Sequence, residues 1–397
     1  MANIYKLRNQ VKHYDWGSPD FIPRLLGVPG DGSPWAEMWM GSHRNAPSQV
    51  LLPSDEIGLG EFIARDPRLY LGEKTAERYG ALPFLFKLLA AEKPLSIQVH
   101  PNLEQAREGF ERENRAGLPP DAPHRNYKDA NHKPEIICAL SPFTGMCGFR
   151  SPDEIRELLA AFVEPSAPAL VRQSFVQLIK TLKTDAQTSA LRLFLETLFS
   201  LSQEARTELT GFIVSSSAES VEWRLARDFA RLYPCDPAIA SPFYLNIFNL
   251  APGEAVFLPA GVPHAYLHGF GIELMANSDN VLRGGLTGKY VDIHELLKIM
   301  NFDPFKPRVM KPADHAQAAS YPVPCEEFSL AVMRGADGTK LDLAQSSASI
   351  CIVTEGELSI LGMVLKQGES AFIPAAAGIE IPLAAQGQYT LYIASVP

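Results

Sequence analysis

The sequence predicts a mainly β protein whose β-rich regions are interrupted by one helical insertion. Three observations favour this class. Short apolar runs between Gly/Pro-rich turns fill the chain to about residue 148, apolar residues then recur at helical spacing to about residue 233, and β-like runs return afterwards. Because 397 residues exceed what one hydrophobic core usually supports, we expect two or three domains.

The helical block opens with a recognisable start signal. Ser151, Pro152 and Glu154 supply a capping hydroxyl, a proline at the first helical position and an acid at the third. Apolar residues then follow at intervals of three and four, as in Leu158, Phe162, Phe175, Leu178, Leu182, Leu191, Phe194, Leu198, Leu225, Phe229 and Leu232. We therefore predict an all-α domain over residues 151–233.

β-like sequence returns after this block. Two apolar runs, at 243–248 and 255–258, precede a further β-rich segment that begins near residue 312. These runs predict one β domain formed by residues 1–150 together with 234–311, and a second, C-terminal β domain over residues 312–397.

An internal repeat relates the two β regions. Residues 253–260 and 368–375 share Gly, Glu, Phe, Pro and Ala in register, which indicates two copies of one β unit; a chance match of two strand segments is the alternative. The second copy has Ile379 where the first has His264. We therefore expect the C-terminal domain to keep the fold and to lack the metal ligands discussed below.

Composition excludes several functional classes. A net charge of −9 argues against a nucleic-acid surface, which needs a basic field. No apolar run approaches the roughly 18 to 20 residues that span a bilayer, and residues 1–20 contain no signal-peptide core, so a cytoplasmic protein is expected. The cysteines lack a C-x-x-C pair and are predicted to be buried thiols: Cys138, Cys147, Cys235, Cys325 and Cys351.

Four residues form a candidate metal site. Gln98 and His100 stand two apart, so a strand presents both on one face. Glu135 follows a proline in a short polar segment, and His264 ends the strand–turn pattern Gly-x5-Pro-x-Gly-x2-His. These ligand types favour a borderline divalent ion such as zinc.

Each of these residues also has a structural interpretation. Isolated histidines are more often satisfied core residues than ligands, and Gln98 alone would be the polar end of a buried strand. Lys133 and Glu135 would alternatively form a surface ion pair, Arg283 would brace a loop, and Lys87 would extend from a core strand toward solvent.

The Gly-x5-Pro-x-Gly-x2-His pattern resembles the second signature of the cupin superfamily, small antiparallel jelly-roll barrels with a metal in the mouth. Two departures are visible. His268 replaces the usual asparagine four residues after His264, and Gln98-x-His100 replaces the usual His-x-His of the first signature. The resemblance implies a cupin-type β-barrel as catalytic domain and a degenerate cupin-like barrel at the C-terminus.

With these departures, the sequence resembles one family in particular, type I phosphomannose isomerase. The similarity covers nearly the whole chain and is carried by residues 14–18, 36–41, 82–87, 98–102, 126–129, 131–135, 264–267 and 276–287. It implies a zinc-dependent aldose–ketose isomerase that interconverts mannose 6-phosphate and fructose 6-phosphate through an enediol(ate), feeding mannose metabolism and GDP-mannose synthesis. It also implies one zinc ion per chain, held by Gln98, His100, Glu135 and His264.

The resemblance assigns further residues. Ser96, Lys87, Lys289 and Arg283 are the candidates for sugar and phosphate contacts, since arginine binds a phosphate as a fork and lysine as a point charge. Catalytic candidates are Arg283, Lys133, Glu273, His132 and Asp279. Glu273 lies among apolar residues of the next predicted strand, where burial raises the pKa of a carboxyl toward base range.

Two other classes fit parts of the sequence. A non-catalytic sugar-binding cupin fits the degenerate C-terminal repeat but gives Lys133, Glu273 and Arg283 no role. An iron-dependent cupin oxygenase usually has more histidine ligands. A fusion with a nucleotidyltransferase is not expected, because no Gly-rich phosphate loop of that type is found near the start. We expect a small sugar phosphate as partner, no nucleic acid and no membrane, and a monomer, with oligomers left open.

Overall fold

The computed structural model describes residues 4–183, 187–312, 317–336, 340–344, 347–377, 380–385 and 387–397. The α-helices are α1 Phe21–Leu26, α2 Leu59–Ala64, α3 Pro67–Leu71, α4 Glu73–Tyr79, α5 Leu103–Arg115, α6 Pro152–Leu158, α7 Ala169–Thr181, α8 Gln187–Phe199, α9 Gln203–Ser215, α10 Val221–Leu232 and α11 Ile293–Ile299. Short 3₁₀ helices cover Ala160–Val163, Pro237–Phe243 and Ala375–Ala377.

The strands alternate with these helices along the chain. They are β1 Tyr5–Arg8, β2 Gln10–Lys12, β3 Glu37–Met40, β4 Gln49–Leu51, β5 Glu56–Gly58, β6 Phe84–Ala91, β7 Gln98–Val99, β8 Glu135–Ala139, β9 Phe143–Phe149, β10 Leu245–Leu250, β11 Ala255–Leu258, β12 His264–Ala276, β13 Leu282–Arg283, β14 Val309–Met310, β15 Ala318–Tyr321, β16 Ser329–Gly335, β17 Lys340–Ala344, β18 Ser349–Glu355, β19 Glu357–Ile360, β20 Met363–Lys366, β21 Ser370–Ile373, β22 Glu380–Ala385 and β23 Tyr389–Ser395.

The architecture is mixed α/β with antiparallel sheets. Helices α6 to α10 lie where helical spacing predicted them, and α6 has the predicted capping box, in which Ser151 and Glu154 satisfy each other's backbone amides. Helices α1 to α5 and α11 lie in regions that the sequence indicated as β-like. They are short or strongly polar, so the apolar periodicity that marks a helix is weak in them; α5 nevertheless has a capping box formed by Asn102 and Gln105.

An 11-stranded sheet carries the part of the molecule discussed below. Its central strand, β12, is thirteen residues long and pairs with β6, β7, β8 and β9. All of its residues but His268 are buried. A strand covered on both sides holds its side chains in fixed directions, so residues that β12 brings into register stay close together.

Strands from both ends of the chain share a second sheet. Its order is β15-β16-β23-β18-β21-β1-β4-β5, and β17, β22, β19 and β20 form a separate four-stranded sheet. Strand β1 therefore lies between β4, close to it in sequence, and β21, more than 360 residues later. One hydrophobic core connects this sheet with the 11-stranded one, since it contains Leu7, Phe86, Ile272, Ile350 and Tyr392.

The helical segment packs against strands β7 and β13. Phe162, Trp223 and Phe229 belong to one core cluster with Val99 of β7 and Leu282 of β13. No helix among the described residues combines the length and the apolar character that crossing a membrane requires. Cys138, Cys147 and Cys351 are buried free thiols, and Cys235 and Cys325 are half-buried free thiols.

The two copies of the repeat adopt the same turn and strand. Gly253 and Gly368 have φ angles of 85° and 83°, and strands β11 and β21 each begin two residues later. Glu254 and Glu369 each accept a hydrogen bond from the backbone amide three residues earlier, at 2.9 and 3.0 Å. Ile379, the expected counterpart of His264, lies outside the described residues.

Candidate metal centre

The ends of three strands, β7, β8 and β12, bring the predicted ligands together. Gln98 on β7 is in register with His264 on β12 and with Arg283 on β13. Side chains of residues paired across antiparallel strands point to the same face, so these three share one surface. Glu135 begins β8 and is in register with Met275 of β12. His100 directly follows β7.

Both imidazoles are held by backbone carbonyls. His100 Nδ1 lies 2.7 Å from the carbonyl oxygen of Asn280, and His264 Nδ1 lies 2.9 Å from that of Val262. A carbonyl only accepts hydrogen bonds, so each Nδ1 carries the proton and each Nε2 presents a lone pair. Burial lowers the pKa of His100 to about 4, so this imidazole is neutral at pH 7.

The two lone pairs face one carboxylate. His100 Nε2 is 3.4 Å from Glu135 Oε1, and His264 Nε2 is 3.4 Å from Oε2. Burial alone would raise the pKa of Glu135, but the adjacent Lys133 ammonium helps to hold it well below its usual range. Lone pairs therefore point at a buried anion, and His100 Nε2 has no hydrogen-bond partner among the described residues.

A divalent cation fits this arrangement. The ligand atoms of His100, Glu135 and His264 all lie within 4.8 Å of one another. Two ligands about 2.1 Å from a tetrahedral zinc ion lie about 3.4 Å apart, which matches both nitrogen–oxygen distances. Gln98 adds an amide oxygen on the same face, completing two imidazoles, a carboxylate and an amide as the predicted donor set.

Lys133 lies beside the centre. Its Nζ is 2.8 Å from Glu135 Oε1, and its side chain is only 9% exposed. An ammonium in this position neutralises the ligand carboxylate and is buried next to the place where a metal-bound substrate would lie. The interpretation of Lys133 and Glu135 as a surface ion pair is therefore wrong in one respect, because the pair is buried.

A second buried charge network adjoins the first. Lys87 on β6 is in register with Glu273 on β12, and their Nζ and Oε2 atoms are 2.8 Å apart. Glu37 approaches Lys87 to 3.8 Å and accepts a 2.6 Å hydrogen bond from the indole of Trp39. Lys87 is buried rather than extended to solvent, and its Nζ lies 5.3 Å from the centre of the Trp39 ring.

These charges set the proton affinity of Glu273. Burial disfavours the charged forms of Lys87 and Glu273 alike, but Glu273 and Glu37 together raise the pKa of Lys87 above its ordinary value. The pKa of Glu273 is itself raised, first by burial and then by the nearby Glu135 and Glu37 carboxylates, against the opposing effect of Lys87. Glu273 is thus a carboxylate with increased basicity in a water-poor site.

Asp279 lies at the edge of the site with several donors. Its Oδ1 is 3.3 Å from His43 Nε2, and its Oδ2 is 3.2 Å from the amide of Asn45 and 3.5 Å from Arg44. Burial opposes ionisation, but the hydrogen bond from His43 and nearby cations lower the pKa of Asp279 to about 2. Such a weakly basic carboxylate is suited to holding its loop rather than to accepting protons.

Three cations, Arg283, Lys289 and Lys128, lie close enough together for their charges to interact. Arg283 is half-buried, and burial lowers its pKa. Burial also lowers the pKa of Lys289, and the charges of Arg283 and Lys128 lower it further, while Asp15 acts in the opposite direction. None of the three cations makes an ion pair within the described part of the chain. An unpaired cationic group of this kind is suited to binding an anion.

The remaining predicted residues lie at the edges. Ser96 is half-buried between Leu95, which bonds the carbonyl of Tyr266, and Ile97, which bonds that of Gly285. The described contact of the His132 ring is not with a predicted metal ligand. Its Nε2 is 2.8 Å from Glu327 Oε1 in the C-terminal segment.

Sequence reasoning missed four residues of this region. Tyr266 has a buried hydroxyl without a hydrogen-bond partner among the described residues, next to Glu273. Its position two residues after His264 on one strand was an available signal, because alternate residues share a face. Lys128 lies within residues 126–129, which carry the resemblance, but the sequence predicts no role for it. Glu37 lies within residues 36–41, which carry the resemblance, but its contact with Lys87 could not be predicted; Glu327 gave no signal, because its partner His132 is distant in sequence.

Comparison with known proteins was made on sequence and on structure. Residues 4–152 match the family model for the type I phosphomannose isomerase catalytic domain. The mannose-6-phosphate isomerase of Escherichia coli (strain K12) is 40% identical over 382 residues, covering 94% of this chain and 95% of that protein. The mannose-6-phosphate isomerase of Bos taurus is 33% identical over 421 residues, covering 96% and 95%.

Solved structures agree with the sequence comparisons. A crystal structure of a point mutant of phosphomannose isomerase from Salmonella typhimurium has a TM-score of 0.91 and 36% sequence identity, covering 100% of both chains. A crystal structure of zinc-bound mannose 6-phosphate isomerase has a TM-score of 0.89 and 36% identity, again covering 100% of both chains.

Proposed function

The chain belongs to the type I phosphomannose isomerase family and is a mannose-6-phosphate isomerase; on that premise we propose that it works as a zinc-dependent aldose–ketose isomerase through an enediol(ate). The observation that carries the zinc proposal is the pair of imidazole lone pairs directed at the buried Glu135 carboxylate. The two lone pairs and the carboxylate repel one another unless a cation lies between the three groups.

We propose that Gln98, His100, Glu135 and His264 hold one zinc ion per chain. Zinc bound there would act as a Lewis acid toward a sugar oxygen. The carbonyls of Asn280 and Val262 fix the two rings, and Lys133 offsets the charge of Glu135. Such outer partners orient the ligands before a metal arrives.

The proton transfers are assigned to the two buried networks. Isomerisation moves one hydrogen from C2 to C1 and one from O2 to O1, without net change in composition. Glu273 takes the C2 proton and returns it to C1, because its raised pKa makes it a stronger base than an ordinary carboxylate. Lys133 donates hydrogen bonds to the sugar oxygens as they exchange protons, and Lys87 holds Glu273 in place at 2.8 Å.

The substrate phosphate is assigned to the cationic group. Arg283 and Lys289 bind it as the resemblance implies, Lys128 adds a third positive charge, and Ser96 donates its hydroxyl nearby. Arg283 is in register with Gln98, so one strand pair spans from phosphate to metal. Asp279 orders the loop of His43 to Asn45, and His132 lies at the opposite edge.

We propose that the domains follow the divisions predicted above. Residues 1–150 and 234–311 form a cupin-type jelly-roll catalytic domain, 151–233 a helical domain, and 312–397 a cupin-like domain without metal ligands. Strand β1 pairs with β21 of the last of these, and β4 and β5 follow β1 in the same sheet. We further propose a cytoplasmic monomer that serves mannose metabolism and GDP-mannose synthesis.

The test is a coupled assay of fructose 6-phosphate formed from mannose 6-phosphate. Protein stripped with chelator is expected to lose activity and to recover it with zinc. His264→Ala is expected to lose both zinc and activity, because it removes one of four ligands. His268→Ala is the matched control, since His268 lies exposed on the same strand.

The outcomes separate the alternatives. His264→Ala protein with normal zinc content and turnover would reject the ligand assignment. Wild-type protein that binds one zinc ion tightly without turnover would favour a non-catalytic sugar-binding cupin. Oxygen-dependent turnover with iron alone would favour an oxygenase.

A further inference from the structure

A segment of the C-terminal region contacts the loop that carries the catalytic lysine. Glu327 Oε1 lies 2.8 Å from His132 Nε2, across 195 residues of sequence. His132 directly precedes Lys133, and Glu135 follows two residues later. The side chain of Glu327 is 12% exposed and that of His132 is 24% exposed, so the contact is largely shielded from water.

Glu327 is itself held on several sides. Its other oxygen, Oε2, accepts a hydrogen bond from the Cys325 thiol at 3.0 Å. The neighbouring Glu326 pairs with Arg78, and its carbonyl accepts from the Tyr79 hydroxyl at 3.1 Å. Phe328 is fully buried in the core that the two large sheets share. The carboxylate of Glu327 therefore has a fixed position relative to strands β6, β8 and β12.

The chemistry of the pair defines one ring orientation. The hydrogen bond from His132 lowers the pKa of Glu327 to about 2, so the carboxylate is ionised and accepts the Nε2–H of His132. The backbone amide of His132 donates to Asn131 Oδ1 at 3.0 Å, and Asn131 Nδ2 donates to the carbonyl of Asn277 at 3.0 Å. The loop is thus anchored at both its backbone and its imidazole.

We propose that Glu327 is a positioning residue for the isomerisation, acting through His132 to hold the loop that presents Lys133 and Glu135. This inference rests on the proposed function, because Lys133 and Glu135 matter only if the site isomerises sugars. It gives the C-terminal region a contribution to catalysis although its repeat carries no predicted metal ligand. Outer partners of metal ligands typically contribute about 10- to 100-fold to activity, and we expect the loss of Glu327, one residue further from the centre, to fall near the lower end of that range.

The test compares two adjacent glutamates. Glu327→Ala is expected to lower kcat at least about tenfold while KM changes less than about twofold, because substrate binding groups stay in place. Glu326→Ala is the matched control: it removes a surface ion pair from the same segment without touching His132, and its kcat is expected to equal that of wild type. Zinc per chain and melting temperature are measured on each variant.

Two further variants separate positioning from general support. Glu327→Gln keeps an acceptor for Nε2–H and is expected to recover most of the kcat lost in Glu327→Ala. In a His132→Ala background, Glu327→Ala is expected to cause no further loss, because its effect passes through His132.

The outcomes distinguish the two proposals. Wild-type protein without isomerase activity would overturn the proposed function itself. Active wild type with Glu327→Ala kcat within about twofold would overturn only the role of Glu327. A loss that persists undiminished in the His132→Ala background, or that Glu326→Ala reproduces with an equal fall in melting temperature, would also overturn it.

Discussion

The hydrogen bonds of the two proposed histidine ligands determine which of their ring nitrogens is protonated. Because Asn280 and Val262 offer carbonyls to the two Nδ1 atoms, His100 and His264 each direct a lone pair toward Glu135 without rearrangement. The same carboxylate also pairs with Lys133. At the scale of single residues, the proposed centre is therefore preorganised, because backbone carbonyls fix both imidazoles in the tautomer that a metal ion would require.

Asp279 gives a prediction about stability at low pH. Its folded pKa of about 2 lies below the ordinary 3.8, so its ionised form stabilises the fold above pH 4, and this contribution is lost as the pH falls toward 2. The shift corresponds to about 2 kcal/mol. We expect metal-free Asp279→Asn to be less stable than wild type by about that amount at pH 7 and by about half of it near pH 3.

Chemical unfolding at the two pH values measures this difference. Asp228→Asn is the control, because Asp228 is 60% exposed in a surface ion pair with Arg231 and is expected to matter by less than about 1 kcal/mol. A stability difference for Asp279→Asn that does not change with pH would contradict the interpretation.

How far the sequence predicts the site depends on the range of each interaction. Gln98 and His100 are two residues apart, so strand geometry alone predicts their shared face. The contacts of Glu37 and Glu327 can be identified only from the structure. Glu37 contacts Lys87 and Glu327 contacts His132 between strands and loops that are distant in sequence. Local spacing carries no information about such partners.

At the scale of elements, one turn connects both histidines. The amide of Gly261 donates to the carbonyl of His100 at 2.8 Å, and the carbonyl of the next residue, Val262, holds His264 Nδ1. Gly261 has a φ of 78°, and an added Cβ would lie 3.2 Å from the carbonyl of Ile299. A side chain is disfavoured there by both conformation and space.

Gly261→Ala is therefore expected to weaken zinc binding at least about tenfold, because the turn must shift and both imidazoles follow it. Competition with a chelating dye measures the affinity. Gly32→Ala is the control: Gly32 has the same φ of 78°, but an added Cβ meets nothing within 4 Å. Equal zinc affinities for the two variants would show that the turn does not determine the site.

Elements also show where sequence patterns lose power. The amphipathic helices α7 to α10 were predicted, because each must cover a core with every third or fourth residue. The apolar pattern does not predict helix α5, because only Ala106, Gly109 and Glu113 are buried in it. Its capping box was the remaining signal.

At the scale of the whole molecule, the core joins early and late segments of the chain. Cys138 of β8 lies 3.3 Å from the hydroxyl of Tyr321, which donates to the carbonyl of Gly253 at 2.8 Å. Tyr392 also approaches Cys138, at 3.8 Å. The C-terminal strands thus pack directly behind the strand that begins at Glu135.

We expect a chain truncated after residue 311 to fail to fold. It would expose the apolar core shared by the two large sheets and leave β1 without its partner β21. Circular dichroism and gel filtration of the fragment test this expectation against the full chain, which should unfold in one transition. A monomeric, zinc-binding fragment would show instead that residues 312–397 are dispensable for the fold.

The position of β1 has a consequence for biosynthesis. A ribosome adds roughly 5 to 20 residues per second, so Tyr5–Arg8 must wait on the order of 20 to 70 seconds before Ser370–Ile373 emerges to pair with it. During that time the nascent chain exposes an unpaired strand edge. Such an intermediate is a natural client for a ribosome-associated chaperone, and slow translation near the end of the message would prolong its exposure.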